Sequence, residues 1–273
     1  LNYKSIRVMT ILQKLFLLSS LSFFSFPLVQ GQTKVPFGVV KAEEGYAMVR
    51  VPKDNYRKII DKIRMRRGDV FVYVKPAPGE TEWIWIKYPE KNETEKPFVR
   101  YDSLNKEGMV NKDRIAFIDQ LPQFTPSKSK NGKSLIFTDN TNPKIPTNKR
   151  TKVIIDIYPS NAGYRKQEKD ASGKILTIDK IKPWGISNEL PENMTEIKSI
   201  RVQQPERGSV FVREAIKNMF QPTMDFNNIG VTSIDNDHIF LYMINGSGEN
   251  RYTTLWTIKE GKVINQIIFN NPE

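Results

Sequence analysis

Beyond residue 31 the apolar residues fall into short β-branched and aromatic runs, separated by turns rich in Pro, Gly, Asn and Asp. Runs of that length with that punctuation predict strands rather than helices. Residues 45–51 (GYAMVRV) form the first strand candidate, followed by a turn at Pro52-Lys53-Asp54-Asn55. Residues 59–63 are apolar but short, and residues 64–69 read as a basic, polar turn. Residues 70–74 (VFVYV) have strong strand character. In residues 83–88 (WIWIKY) alternation puts Trp83, Trp85 and Lys87 on one face and Ile84, Ile86 and Tyr88 on the other. A charged loop over residues 89–96 follows, and residues 108–115 close this first unit.

Residues 125–151 are polar, with one apolar island at Leu135-Ile136-Phe137, and read as a linker that lends one strand to its neighbour. Residues 153–158 predict a strand, residues 160–173 a polar hairpin loop, and residues 175–178 the strand that pairs back. Residues 197–202 and 210–212 flank a turn at Pro205-Glu206-Arg207-Gly208. Residues 213–220 (REAIKNMF) predict a helix: Ile216, Met219 and Phe220 share a face, and Pro222 stops it. The end of the chain reads as a meander over residues 231–234, 238–244, 252–258 and 263–269, joined by Gly/Asn/Asp turns. The expected fold class is mainly β: an amino-terminal unit of short strands over 32–124, and a carboxy-terminal antiparallel meander with one short helix over 152–273.

The amino terminus has a different pattern. Lys14 precedes an apolar run over residues 15–26 (LFLLSSLSFFSF), Pro27 breaks it, and Val29-Gln30-Gly31 supplies a small residue at an expected cut after Gly31. Met9 reads as the start, with the residues before it as upstream read-through. The run falls short of the ~20 residues that span a bilayer as a helix, so it predicts a cleaved export signal over 1–31 and a mature protein without a transmembrane segment. The expected destination is the periplasm or the medium. The net charge of +12 falls to +9 once Lys4, Arg7 and Lys14 are set aside. Acids are interleaved with the remaining bases, which predicts a basic surface rather than a nucleic-acid stripe. The chain has no Cys, which removes disulfides, thiolate nucleophiles and a lipidated cysteine.

The order Gly45-Tyr46-x-x-Val49-Arg50, Gly68-Asp69-Val70, Trp83-Ile84-x-Ile86 and Gly108-x-Val110-x-x-x-Arg114-Ile115 resembles the bacterial SH3-like (SH3b) domain. The resemblance implies a small, strongly bent antiparallel barrel of the kind found in exported cell-wall-associated and periplasmic proteins. Some of these bind peptidoglycan peptides; others only pack against a partner domain. On that basis Trp83, Trp85 and Tyr46 are the groove candidates, with Tyr73 and Tyr101 as walls and Arg50 and Lys87 meeting carboxylates. The competing reading has one tryptophan capping the barrel and the other packed on the second domain. Further on, Lys182-Pro183-Trp184-Gly185, Leu190-Pro191 and Thr195-Glu196-Ile197 resemble a carboxy-terminal module of exported Bacteroidetes proteins.

Catalytic signals are weak. His238 is the only histidine and reads as a turn or surface residue. Asp235, Asp237 and Glu249 lack calcium-loop spacing. Lys130-Asn131-Gly132-Lys133-Ser134 lacks the first glycine of a phosphate loop, and Ser127-Lys128-Ser129-Lys130 lacks the companions of an S-x-x-K site. The functional expectation is an exported, non-enzymatic binding protein without cofactor or metal, engaging a cell-wall peptide or an envelope protein segment. The alternatives are an interaction or inhibitor protein that docks through the carboxy-terminal meander, and an envelope hydrolase.

Overall fold

The computed structural model describes residues 35–53, 58–89, 99–101, 104–161, 165–186, 188–191 and 193–270. The expected export signal, the turn at Asp54-Asn55 and most of the charged loop lie outside the described residues. Strands dominate. In chain order they are β1 (Phe37–Val40), β2 (Tyr46–Lys53), β3 (Lys58–Arg66), β4 (Val70–Pro76), β5 (Trp83–Tyr88), β6 (Val99–Tyr101), β7 (Lys106–Asn111) and β8 (Ile115–Phe117). Then come β9 (Thr125–Lys128), β10 (Ser134–Thr138), β11 (Lys152–Ser160), β12 (Gln167–Lys169), β13 (Ile175–Ile178), β14 (Met194–Gln204) and β15 (Gly208–Phe211). The chain closes with β16 (Ile229–Ser233), β17 (His238–Asn245), β18 (Tyr252–Lys259) and β19 (Lys262–Asn270).

The first sheet has seven strands in the order β3-β2-β7-β5-β4-β1-β8. All its pairings are antiparallel. A 3-10 turn over Lys112–Arg114 separates β7 from β8. Met65 on the β3 edge and Ile115 and Phe117 on the β8 edge join Val49, Phe71, Ile84 and Val110 in a single apolar cluster. Side chains from both edges can share one cluster only if the sheet curls around it.

A second sheet, β16-β17-β18-β19-β6, lies at the centre of the molecule. β17 is buried at every position. Its Phe240, Tyr242 and Ile244 pack with Phe37, Val39 and Val70 of the first sheet. Its Ile239, Leu241 and Met243 pack with Leu135, Phe137, Val153, Ile155 and Val202 of a third sheet, β15-β14-β11-β10-β9. Burial on both faces explains why the run over 238–244 is almost continuously apolar instead of alternating. β6 leaves the long connection between β5 and β7 to pair in parallel with β19, so the first sheet's chain lends a strand to the centre. Several of the polar groups buried there have partners, whereas Thr253 Oγ1 and Thr257 Oγ1 have none among the described residues. Trp256 donates its indole N–H to the Ala215 carbonyl at 2.9 Å. Tyr252 donates its hydroxyl to the Phe220 carbonyl at 3.0 Å.

The meander and the strands flanking it stand where the sequence pattern puts them. Four expectations differ. β3 runs on through the basic residues to Arg66, because Arg64 and Arg66 fall on its solvent face and cost nothing there. Residues 125–151 supply two strands, β9 and β10, rather than one. β13 pairs with β12 and not with β11, since β11 already has β10 and β14 on its two sides. The helix expected over 213–220 is a single 3-10 turn, Glu214–Ile216. A segment that short is below the ~12–15 residues at which helices hold themselves. Asn218 leaves the helical region at φ 58°, donating to the carbonyls of Ile178 and Ile181 at 2.6 and 2.9 Å. Met219 and Phe220 then make bridges to Trp184 and Glu196. Gly185 permits that junction: at φ +83° a Cβ there would stand 2.5 Å from the Phe220 carbonyl oxygen.

Candidate functional site

The central sheet packs against β1, β4 and β8 of the first sheet, while the outward side chains of β2 and β5 stay partly exposed among the described residues. β5 exposes Trp83, Trp85 and Lys87 in part and buries Ile84, Ile86 and Tyr88, as alternation requires. On β2, Tyr46, Met48 and Arg50 point outward while Ala47 and Val49 enter the core. Register aligns Met48 with Arg64, Arg50 with Met109, Trp83 with Asn111, Trp85 with Met109 and Lys87 with Glu107.

Arginines and aromatics interlock across these strands. The Arg50 guanidinium lies 3.8 Å from the centroid of the Trp83 ring. To reach it the side chain must cross β7, about 10 Å at two strand spacings. Its stem and the indoles account for Met109, which faces outward yet is only 6% exposed. The Arg64 guanidinium sits 3.8 Å from the Tyr46 centroid. Each such stack stabilises by about 0.5–1 kcal/mol at an exposed site and fixes the ring's attitude. Trp85 donates its indole N–H to Glu107 Oε2 at 3.2 Å, and Lys87 pairs with Glu107 Oε1 at 3.2 Å.

Between the Tyr46 and Trp83 rings runs a groove of about 300 Å³ with Met48 on its floor and Asn111 beside Trp83. Its far end is the Glu44–Arg114 ion pair. The Arg114 guanidinium, with help from the Glu44 backbone, holds the Glu44 carboxyl below its ordinary pKa. The same pair borders a second hollow of about 450 Å³ lined by Lys41, Arg67 and Asp113. Chemically, the face presents rigid aromatic walls, an apolar floor and forked cationic donors. Such walls, floor and donors are the chemistry with which proteins in general hold an extended chain carrying apolar side chains and carboxylates.

The structure brings Tyr46, Trp83 and Arg50 together, with Trp85 and Lys87 on the adjoining strand positions. Neither tryptophan belongs to the apolar clusters shared with the other sheets. Tyr73 and Tyr101 are elsewhere. Tyr73 turns into the core of the first sheet, edge-on to Phe117 at 5.6 Å. Tyr101 rides on β6, the edge strand of the central sheet, where burial and then the Asp69 charge raise its pKa. Arg64, Met109, Glu107, Glu44 and Arg114 join the site without having been singled out. Alternation along β2 and β5 was the available signal; which strands lie side by side was not.

His238 is buried, not a surface residue, with 8% exposure. Its Nδ1 lies 2.9 Å from Asp235 Oδ1, and Asp235 Oδ2 accepts from Arg67 Nε at 3.2 Å. Arg67 also donates to the carbonyls of Lys41 and Ile234 at 2.9 and 3.3 Å. The ring packs on Gly68, where φ is +85° and a Cβ would stand 2.3 Å from it. The constellation pins the β3–β4 turn to the β16–β17 turn. Among the described residues no group of three or more His, Asp or Glu side chains could hold a metal ion, and no helix is long and apolar enough to cross a membrane. In comparison with known proteins the chain matches no family model, and neither the curated proteins nor the solved structures give a significant match.

Proposed function

We propose that this is an exported, non-enzymatic binding protein whose first sheet is an SH3-like barrel, and whose open aromatic face engages a cell-wall peptide or an envelope protein segment. The observation that carries the reading is the groove between Tyr46 and Trp83, walled by rings that Arg64 and Arg50 hold in place. In support of the barrel, the sheet curls around one core, and β1 lies between β4 and β8. In support of carboxylate recognition, Arg50, Arg64 and Arg66 share the open face, where Glu107 is already engaged by Lys87 and Trp85. The carboxy-terminal meander offers a partner less, because β17 and β18 are buried on both sides. His238 is engaged in the turn-to-turn pin, with its Nδ1 held against Asp235. The test is co-sedimentation of purified protein with peptidoglycan sacculi, comparing wild type with Trp83→Ala. Binding that depends on Trp83 supports the reading; a protein that stays in solution like an unrelated control sinks its cell-wall form.

A further inference from the structure

A different part of the first sheet has the features of a second site. β3 is an edge of that sheet, paired only with β2 among the described residues. Hydrogen-bonded and non-hydrogen-bonded pairs alternate along an antiparallel ladder. The Arg67 amide donates back to the Gly45 carbonyl at 2.7 Å, whereas the Arg66 amide turns away to Asp69 Oδ2 at 2.6 Å. The even-numbered residues of β3 therefore point their backbone groups off the sheet. Arg64 has its N–H and C=O on that open side with no partner among the described residues. The side chains separate in the same way. Ile63 and Met65 turn inward, where they line a hollow of about 320 Å³ together with Val70, Tyr88 and Tyr101. Arg64 and Arg66 turn outward and are exposed.

We propose that the β3 edge binds an extended acidic peptide, with apolar and acidic residues in alternation, as an added strand. An incoming strand meets the backbone groups of Arg64 and sends alternate side chains to opposite faces. Its apolar set enters the hollow beside Ile63 and Met65; its acidic set lies beside the Arg64 and Arg66 guanidiniums, which pair with carboxylates in forked geometry. The occupant is not a second copy of this chain. Pairing two β3 edges sets arginine against arginine on a chain of net charge +12, an arrangement that like charges oppose. The site adjoins the Tyr46–Trp83 groove and shares Arg64 with it, through the stack on Tyr46, so Trp83, which belongs to the groove alone, is the residue that separates the two.

The experiment uses the purified chain and a fluorescent peptide alternating Glu and Val, with binding read by anisotropy at low salt. Two further peptides carry N-methyl groups on one or the other alternate set of amides. One methylated set is expected to weaken binding by about tenfold or more, the other to leave it nearly unchanged, because only one set faces the protein. Arg64→Glu is expected to weaken binding by at least as much, and Trp83→Ala to leave it alone. In hydrogen exchange the Arg64 amide is expected to slow when peptide is added. Absence of binding, or equal effects of the two methylated sets, overturns the proposal; neither outcome depends on a variant that has to fold. Binding lost in Trp83→Ala and retained in Arg64→Glu also overturns it, while leaving the groove reading intact.

Discussion

The ion pair between Glu196 and Arg165 gives the sharpest stability forecast. The Glu196 side chain is 8% exposed and the Arg165 side chain 22%. Arg165 Nη2 donates to both carboxylate oxygens at 2.7 and 2.8 Å, Ser160 Oγ donates to one of them, and Arg165 Nη1 reaches Asn218 Oδ1 at 3.1 Å. Removing one partner of a buried pair costs about 3–5 kcal/mol, because the other charge is left without compensation. Here Arg165 keeps some water and has Asp179 at 3.8 Å, so Glu196→Gln belongs at the lower end, about 3 kcal/mol. For a unit of this size each kcal/mol moves Tm by about 2–4 °C, which gives a fall of roughly 6–12 °C. Circular-dichroism melts of Glu196→Gln, Arg165→Met and the double variant at neutral pH form the cycle. The double variant is expected to recover most of the loss, since it buries no unpaired charge. An unchanged Tm in Glu196→Gln, or a double variant that falls by the sum of the singles, refutes the reasoning. Glu44→Gln is the control: its pair with Arg114 is solvent-exposed, and its melt is expected to match wild type.

Three other outcomes follow from the same contacts. Burial pushes the Asp235 pKa up, but hydrogen bonds from the His238 ring and from the His238 and Asp237 amides outweigh it and hold it below the ordinary value. A depressed folded pKa stabilises fully above the unfolded value near ~3.9 and is lost as pH falls through the folded one. Asp235→Asn is thus expected to be less stable than wild type by urea titration at neutral pH, with a gap that closes below about pH 4; a gap that widens in acid contradicts this. Arg50→Ala is expected to uncover Met109, now 6% exposed, so that peroxide oxidises it faster by peptide mass spectrometry; an unchanged rate means that the Arg50 stem is not its cover. Gly68→Ala is expected to lose at least about 2 kcal/mol in urea, from a left-handed backbone and collision with His238; near-wild-type stability contradicts the pin.

Strand content was legible because period-two runs and turn residues are local signals. The outward face of β5 could be read directly from residues 83–88. Lateral order could not. Nothing local states that β2 lies beside β7, which is what carries Arg50 across to Trp83 and joins Tyr46 to the groove. Tyr73 misled because its chemistry matches a groove wall while its strand position points inward. Residues 213–220 misled for the converse reason: Ile216, Met219 and Phe220 have helical spacing, but tertiary bridges at Met219 and Phe220 and the Asn218 side-chain bonds claim them. The β1 strand at Phe37–Val40 went unread because four residues carry too little pattern to separate from a linker.

The open aromatic face is tested most directly by incubating the purified chain with isolated peptidoglycan sacculi and measuring the pelleted fraction of wild type, Trp83→Ala and Arg50→Ala, each checked for an unchanged melt. Wild type is expected in the pellet, and both variants are expected to remain largely in the supernatant. A wild-type chain that does not pellet above control, or variants that pellet as well as wild type, contradicts the assignment of that face to the cell wall.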